Sequence, residues 1–375
     1  MDMKLFVGAV LMDLSKAFDC VPHDLLIAKM QAYGFEMDTL IFFYSYLKNR
    51  KQCVKVNNVF SSYMVLLSGV PQGSILGPIL FNLFINDLIF FIEKAGIINY
   101  ADDNTILGHA ESIPELIKLL ENESEIAIKW FRSNEMIVNP DKFQAIIINR
   151  TKKDDKEYTL NFDNKTIKTS KEVTLLGIDI DNNLNFNKHI HDLIARAAGQ
   201  LNYLCRNRKF LNQNARKILV ESFILSNFNY CPLVWHFCSS ESMKKQERIQ
   251  ERSLRFLLND HTSDYEQLLL AAGKTTLEIK KLKMLATEIF KTINDLNPSF
   301  MKEIFTLNTR RDASKLVVQS QSSKKYGTDT LRSLGPKIWN SLPNETRTSN
   351  SLFSFKELIK TWDGPNCKCN KCKFP

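Results

Sequence analysis

The sequence predicts an α+β fold: a sheet-bearing N-terminal region that gives way to helices near residue 188, then a loop-rich tail. Three observations predict it. Short apolar runs at 6–12 and 145–148 read as buried strands set between segments of helical period. From about His189 the period turns helical and stays so to about residue 296. Beyond Ile304 come Ser/Lys stretches near 320–325 and one compact apolar-aromatic segment, 334–342.

The elements follow in order. Residues 6–12 form a strand because the run is short and apolar, with Val7 and Val10 β-branched. A helix over 22–33 ends at Gly34, and a second covers 39–47. A strand over 52–59 reaches a turn at Asn57-Asn58. A Gly/Pro-rich loop, 68–78, leads into an apolar helix over 78–98. Apolar residues flank Asp102-Asp103 on both sides, so 97–107 is a hairpin with two carboxylates at its tip. Ser112-Ile113-Pro114-Glu115 opens a helix with a capping box and buries Leu116, Leu120, Ala127 and Phe131 on one face. It stops before Asn139-Pro140. A hairpin over 158–168 turns at Asp163-Asn164, and a strand over 173–180 runs through Leu176-Gly177. Helices are expected over 189–204, 213–226, 242–258 and 277–296. The corresponding regions are 1–150, 151–188, 189–300 and 301–375.

With 375 residues and 44% hydrophobic content, the chain can bury a large core in two or three subdomains. A charged fraction of 24% excludes wholesale disorder. The net charge of +9 favours polyanions, nucleic acid first and an anionic membrane second. Five scattered cysteines read as reduced thiols, not a disulfide framework. The apolar run near the N-terminus ends in Asp13-Leu14-Ser15-Lys16 without a small-residue cleavage site, which excludes a signal peptide. Asn82, Asn86, Asp87, Glu93 and Lys94 interrupt the longest apolar stretch, so it is a core helix and not a membrane span. The expectation is an intracellular, soluble protein of the nucleus or cytoplasm with no membrane partner.

The chemistry centres on three aspartates. Asp13 ends the first strand, and Asp102 and Asp103 sit at a hairpin tip. If the two strands are neighbours, the carboxylates suit two magnesium ions, which demand hard oxygen ligands and activate both ends of a nucleotidyl transfer. Manganese is the alternative ion. Taken alone, an Asp-Asp pair reads as a solvated turn, since Asp favours turns. The surrounding motifs tip the balance.

Those motifs resemble reverse transcriptases, and among them the jockey-like members of the non-LTR (LINE-type) retrotransposon class. Met12-Asp13-Leu14-Ser15-Lys16-Ala17-Phe18-Asp19 is similar to the first palm motif, and Gly69-Val70-Pro71-Gln72-Gly73-Ser74 to the template- and nucleotide-contacting loop. Tyr100-Ala101-Asp102-Asp103 is similar to the catalytic box, Asn139-Pro140-Asp141-Lys142 to the fourth motif, and Leu175-Leu176-Gly177 to the primer grip. The resemblance continues through Asn229-Tyr230-Cys231-Pro232-Leu233-Val234-Trp235 into the C-terminal cysteines.

The resemblance implies a polymerase palm, a ferredoxin-like sheet with packed helices, followed by a helical thumb and the tail. It implies RNA-directed DNA synthesis with an RNA template, a DNA primer and dNTPs as partners. Asp13, Asp102 and Asp103 would ligate the metals, and the carbonyl of Leu14 could add a ligand. Phe18 would be the steric gate against a 2′-hydroxyl; by itself it reads as core packing. Pro71, Gln72 and Gly73 would contact the incoming nucleotide, and Leu176-Gly177 the primer. Lys142 would be a general acid on the departing pyrophosphate, where the plainer reading is a solvated surface lysine. Lys244, Lys245, Arg248, Arg252 and Arg255 recur at helical spacing, as a duplex-binding thumb or a solvated helix face. The first palm motif starts almost at residue 1, so the family's fingers are expected to be missing and the activity impaired; the alternative is an inactive nucleic-acid-binding remnant. Cys367, Cys369 and Cys372 lack a fourth ligand, so a reduced flexible tail is expected over a zinc site.

Overall fold

Seven residues of the apolar N-terminal run, Phe6–Met12, form the central strand β1 of a four-stranded sheet. The structure is a computed structural model that describes residues 5–148, 156–236, 240–307, 314–318 and 330–365. The chain divides into two compact units, one ending at Leu184 and the next beginning at Asn185.

In the first unit, β1 leads to helices α1 (Ala17–Cys20), α2 (His23–Ala32) and α3 (Met37–Leu47). The predicted strand over 52–59 is instead two short ribbons: β2 (Lys51–Gln52) pairs with β5 (Met64–Val65), and β3 (Lys55–Val56) with β4 (Val59–Phe60). Asn57 and Asn58 both take positive φ, which makes the turn a hairpin inside the expected strand.

The apolar stretch 78–98 is also not one helix. Helix α4 (Leu76–Ile85) tightens into a 3-10 turn at Asn86–Phe90, and strand β6 (Gly96–Tyr100) follows. An apolar run carries no periodicity that separates a buried helix from a buried strand. Asp87 marks the break: its carboxylate accepts from Lys29 of α2 at 2.6 Å.

Strand β7 (Asp103–Ala110) returns antiparallel to β6 and pairs on its other side with β1, which pairs in turn with β8 (Gln144–Ile148). The order β6-β7-β1-β8 is antiparallel throughout. With helices between its first and second strands and between its third and fourth, the sheet has the βαββαβ connectivity of a ferredoxin-like unit. Helix α5 (Ile113–Ser133) carries the predicted capping box and covers one face of this sheet. Gly8 and Gly108 are cross-strand partners beneath it, and a Cβ on either would come within 3.0 Å of Leu120. The bare backbone is what lets α5 approach so closely.

Two hairpins complete the unit: β9 (Thr159–Phe162) with β10 (Lys165–Lys168), and β11 (Glu172–Leu175) with β12 (Ile178–Asp181). The second replaces the single strand expected over 173–180. Leu176 (φ 48°) and Gly177 (φ 76°) are its two-residue turn, a geometry that needs positive φ at both positions. Val173 and Ile180 of this hairpin pack on Ala9, Ile146 and Ile148, the sheet face opposite α5.

The second unit is helical: α6 (Asn187–Arg206), α7 (Gln213–Leu219), α8 (Ser240–Leu258), α9 (Tyr265–Ala271) and α10 (Leu277–Ile293). The helix expected over 213–226 leaves α geometry at Val220, passing through a π turn and then a 3-10 turn to Phe228. Glu247 on α8 accepts from the Leu277 and Glu278 amides at 3.2 and 2.9 Å, capping α10 from a neighbouring helix.

The loop-rich tail is corrected as well. Helices α11 (Leu331–Ser341) and α13 (Leu352–Leu358) pack on α10, with α12 (Asn344–Arg347) against α13; Phe355 is stacked 4.5 Å from Phe290 and Trp339 adjoins both. Gly335-Pro336 sits inside α11 and hides the helix from a propensity reading. Among the described residues, no helix is long and apolar enough to cross a membrane. Cys367, Cys369 and Cys372 lie outside the described residues.

Candidate active site

The register of the central strands builds the site. Met12 pairs with Asn104, so the next step along both chains brings Asp13 beside Asp103 at the end of the sheet. Strand alternation then assigns faces. Asp13 and Asp103 continue the row of Ala9, Leu11 and Leu107, the face covered by the β11–β12 hairpin. Met12 and Asn104 continue the row of Val10 and Ile106, the buried face under α5.

Asp102 occupies the second place of a two-residue turn between Tyr100 and Asp103, which are paired. Ala101, at the first place, takes φ 52°. A non-glycine residue in that region is uncommon and concentrates where a turn is over-determined by its surroundings. Burial, then Asp102, then Asp13 push the Asp103 carboxyl above its ordinary value. Asp103 therefore feels both other acids at the end of the sheet.

Lys142 ends a 3-10 turn, Pro140–Lys142, and its Nζ lies 3.1 Å from Asp13 Oδ2. The pair is solvent-accessible, at 58% and 40% side-chain exposure, so its net contribution to stability is small. Asp141 beside it pairs with Lys165 at 2.6 Å. A cleft of about 460 Å³ brings Asp13, Asp103, Asp141, Lys142 and Leu176 to one surface. Leu176 is there because the hairpin turns at it.

The remaining expected site residues stand apart from that lining. Leu14 is buried in a bridge to Val138. Phe18 stacks on buried Phe81 with centroids 4.5 Å apart, so one ring face is core packing. Pro71, Gln72 and Gly73 lie on a loop clamped against residues 18–23. The Gly69 and Val70 amides donate to the carbonyls of Val21 and Phe18, both at 2.8 Å, and the Pro71 carbonyl accepts from Ser74 at 2.8 Å. Gly69 takes φ 90°, and a Cβ there would stand 2.8 Å from the Asp19 backbone; only glycine fits. Gly73 takes φ 77° with open space around it.

Three residues of the site escaped the sequence reading. Asp19 accepts from the Gln72 amide at 3.1 Å, Asp141 lines the cleft, and Asn104 donates to the Asp102 carbonyl at 2.9 Å. The spacing of Asn104 from the aspartates was the one available signal.

Among the described residues, no group of three or more His, Cys, Asp or Glu side chains forms a preformed metal cage. The expected ligand set of Asp13, Asp102 and Asp103 is thus adjacent but not convergent: the like charges repel, and Asp13 turns to Lys142. The donor chemistry still fits magnesium or manganese, since all three are hard oxygen ligands whose mutual repulsion a divalent cation relieves.

Residues 5–180 match the family model described as "Reverse transcriptase (RNA-dependent DNA polymerase)". Residues 5–180 are a reverse transcriptase domain. A probable RNA-directed DNA polymerase from transposon BS of Drosophila melanogaster is 26% identical over 264 residues, covering 68% of this chain and 29% of that protein. The RNA-directed DNA polymerase from mobile element jockey of the same organism is 23% identical over 265 residues, again 68% and 29%. The chain is related to non-LTR retrotransposon reverse transcriptases, and the match spans 29% of the length of these curated relatives. A telomerase structure from Candida Tropicalis, in complex with a TWJ fragment of telomeric RNA, aligns at 12% identity and TM-score 0.36, covering 74% of this chain and 47% of that one. The site at the sheet end thus lies within the reverse transcriptase domain.

Proposed function

We propose that this chain catalyses RNA-templated DNA synthesis, joining a dNTP to a primer 3′-hydroxyl and releasing pyrophosphate. The observation that carries the reading is the junction of Asp13 with the Asp102-Asp103 turn, with Lys142 Nζ 3.1 Å from Asp13. Bound there, two magnesium ions, or manganese, would lower the pKa of the attacking hydroxyl and neutralise charge on the leaving oxygens. Asp13, Asp102 and Asp103 are the residues that would hold them, with the Leu14 carbonyl as a further oxygen. Lys142 would pass a proton from Nζ to the departing pyrophosphate. The half-buried Phe18 ring, fixed by Phe81, would exclude a 2′-hydroxyl. Gln72, with Pro71 and Gly73, would meet the incoming nucleotide, and Leu176-Gly177 the primer.

In this reading the first unit is a palm and the helices of the second a thumb. Of the basic residues expected on α8, Lys245 pairs with Glu241, Arg255 with Glu251, and Arg252 bonds Asn202. The stretch 193–220 instead contains no Asp or Glu and carries Arg196, Arg206, Lys209 and Lys217 at exposed positions. Exposed Tyr203 and Phe210 lie among them. That combination suits a nucleic-acid strand through phosphate contacts and stacking.

Primer extension on an RNA template with Mg²⁺ and dNTPs tests the proposal. Extension is expected from the wild-type chain and not from Asp102→Ala. Extension that survives Asp102→Ala overturns the assignment of the site. Salt-sensitive RNA binding by a wild-type chain that extends no primer overturns the catalytic reading in favour of a binding role.

A further inference from the structure

We propose that Asn104 is a positioning residue for the carboxylate site, gripping the peptide unit between Asp102 and Asp103 from the buried side of the sheet. The inference rests on the reading of those carboxylates as cation ligands. Asn104 is 1% exposed and shares its sheet face with Met12, Val10 and Ile106, a core row in which an apolar side chain would be the default. Its Nδ2 donates to the Asp102 carbonyl at 2.9 Å. That contact fixes the amide orientation, because a carbonyl only accepts. Oδ1 is then left buried with no hydrogen-bond partner among the described residues. A buried acceptor without a donor is costly, so Asn104 is a poor core residue on stability grounds alone. Its donor end supplies the compensation.

The grip falls on a chosen bond. The peptide linking Asp102 to Asp103 follows Ala101, whose φ of 52° an alanine adopts reluctantly. A turn so strained needs a restraint, and Asn104 applies one to the plane from whose two ends the carboxylates project. Asn104 borders the cleft, but Asp103 leaves the strand on the opposite face, so the asparagine side chain acts on the backbone between the carboxylates.

The test is Mn²⁺ binding by the full chain, followed through the free-ion paramagnetic resonance signal beside a thermal melt. In Asn104→Leu the affinity is expected to fall about tenfold or more, as for other outer partners of metal ligands, while melting stays near wild type because the orphaned acceptor goes too. Asn104→Asp separates positioning from charge. It keeps the shape, cannot donate to the Asp102 carbonyl, and adds a negative charge beside the cluster. Charge alone predicts tighter Mn²⁺ binding; loss of the grip predicts weaker. Wild-type affinity in Asn104→Leu, or tighter binding in Asn104→Asp, overturns the inference. Asp102→Asn, run in parallel, reads the underlying assignment: if it binds Mn²⁺ like the wild type, the carboxylate site itself is wrong, whatever Asn104 does.

Discussion

Asp103 carries the electrostatic strain of the site, and its position makes the strain measurable. Its carboxyl is held above the ordinary value of 3.8 by burial and by Asp102 and Asp13. A raised folded-state pKa favours the protonated form. The stabilisation is therefore complete below pH 3.8 and is lost as pH rises through the folded value. At neutral pH the charged Asp103 is a liability to the fold. Asp103→Asn is expected to raise the melting temperature at pH 7, and the gain should shrink as the pH drops below the carboxylate range; melts across pH 3–8 measure it. The gain is the usual counterpart of a functional site, where stability is set below what the fold allows. Lys142→Met makes a separate prediction. If Lys142 delivers the proton to pyrophosphate, kcat falls by about 10²–10⁴-fold with little change in the dNTP KM; a fall in affinity alone would show a binding role. The aspartates and Lys142 were legible in the sequence because motif spacing marks them. Asn104 and Asp19 were not: Asn104 acts through a local bond to a carbonyl two residues earlier, whose direction depends on how the turn folds, and Asp19 through a tertiary contact with the Gln72 amide.

Elements were legible where one physical signal dominated. The capping box at Ser112 and the period of α5 gave that helix, and uninterrupted apolar character gave β1. The failures share a cause: a local signal masked by its neighbours. The apolar stretch 78–98 reads alike as helix and strand, Leu176 conceals a turn, and Pro336 conceals a helix that tertiary packing sustains. The Leu176-Gly177 turn is a place to intervene. Leucine is a poor occupant at φ 48°, where asparagine is favoured. Leu176→Asn is expected to raise thermal stability slightly while removing an apolar wall of the cleft, so primer-dependent extension should weaken as melting improves. Gly108 offers the opposite test. Any side chain there meets Leu116, Leu119 and Leu120 of α5 within 3.3 Å. Gly108→Val should cost about 1–3 kcal/mol by overpacking, seen as a lower denaturant midpoint with an unchanged slope.

For the whole molecule, the net charge of +9 is informative only through its distribution. Two of the five α8 cations, Lys245 and Arg255, are held in ion pairs, whereas 193–220 contains no Asp or Glu of its own. Helical spacing alone could not tell these surfaces apart, since pairing depends on which side chains meet. The two readings predict different salt dependence. Each phosphate contact removed lowers the slope of log K against log salt by about 1. Arg206→Glu with Lys209→Glu should therefore weaken RNA binding at low salt and flatten that slope by roughly 2, leaving the melting transition in place because both side chains are exposed. Lys245→Glu, on the paired side of α8, should change the slope little. If the α8 variant flattens the slope and the α6–α7 variant does not, the nucleic-acid face lies on α8, as helical spacing first suggested. Repeating the titration with single-stranded and duplex RNA then isolates stacking: Phe210→Ala should weaken the single strand more than the duplex, because only an unpaired base can lie flat on the ring.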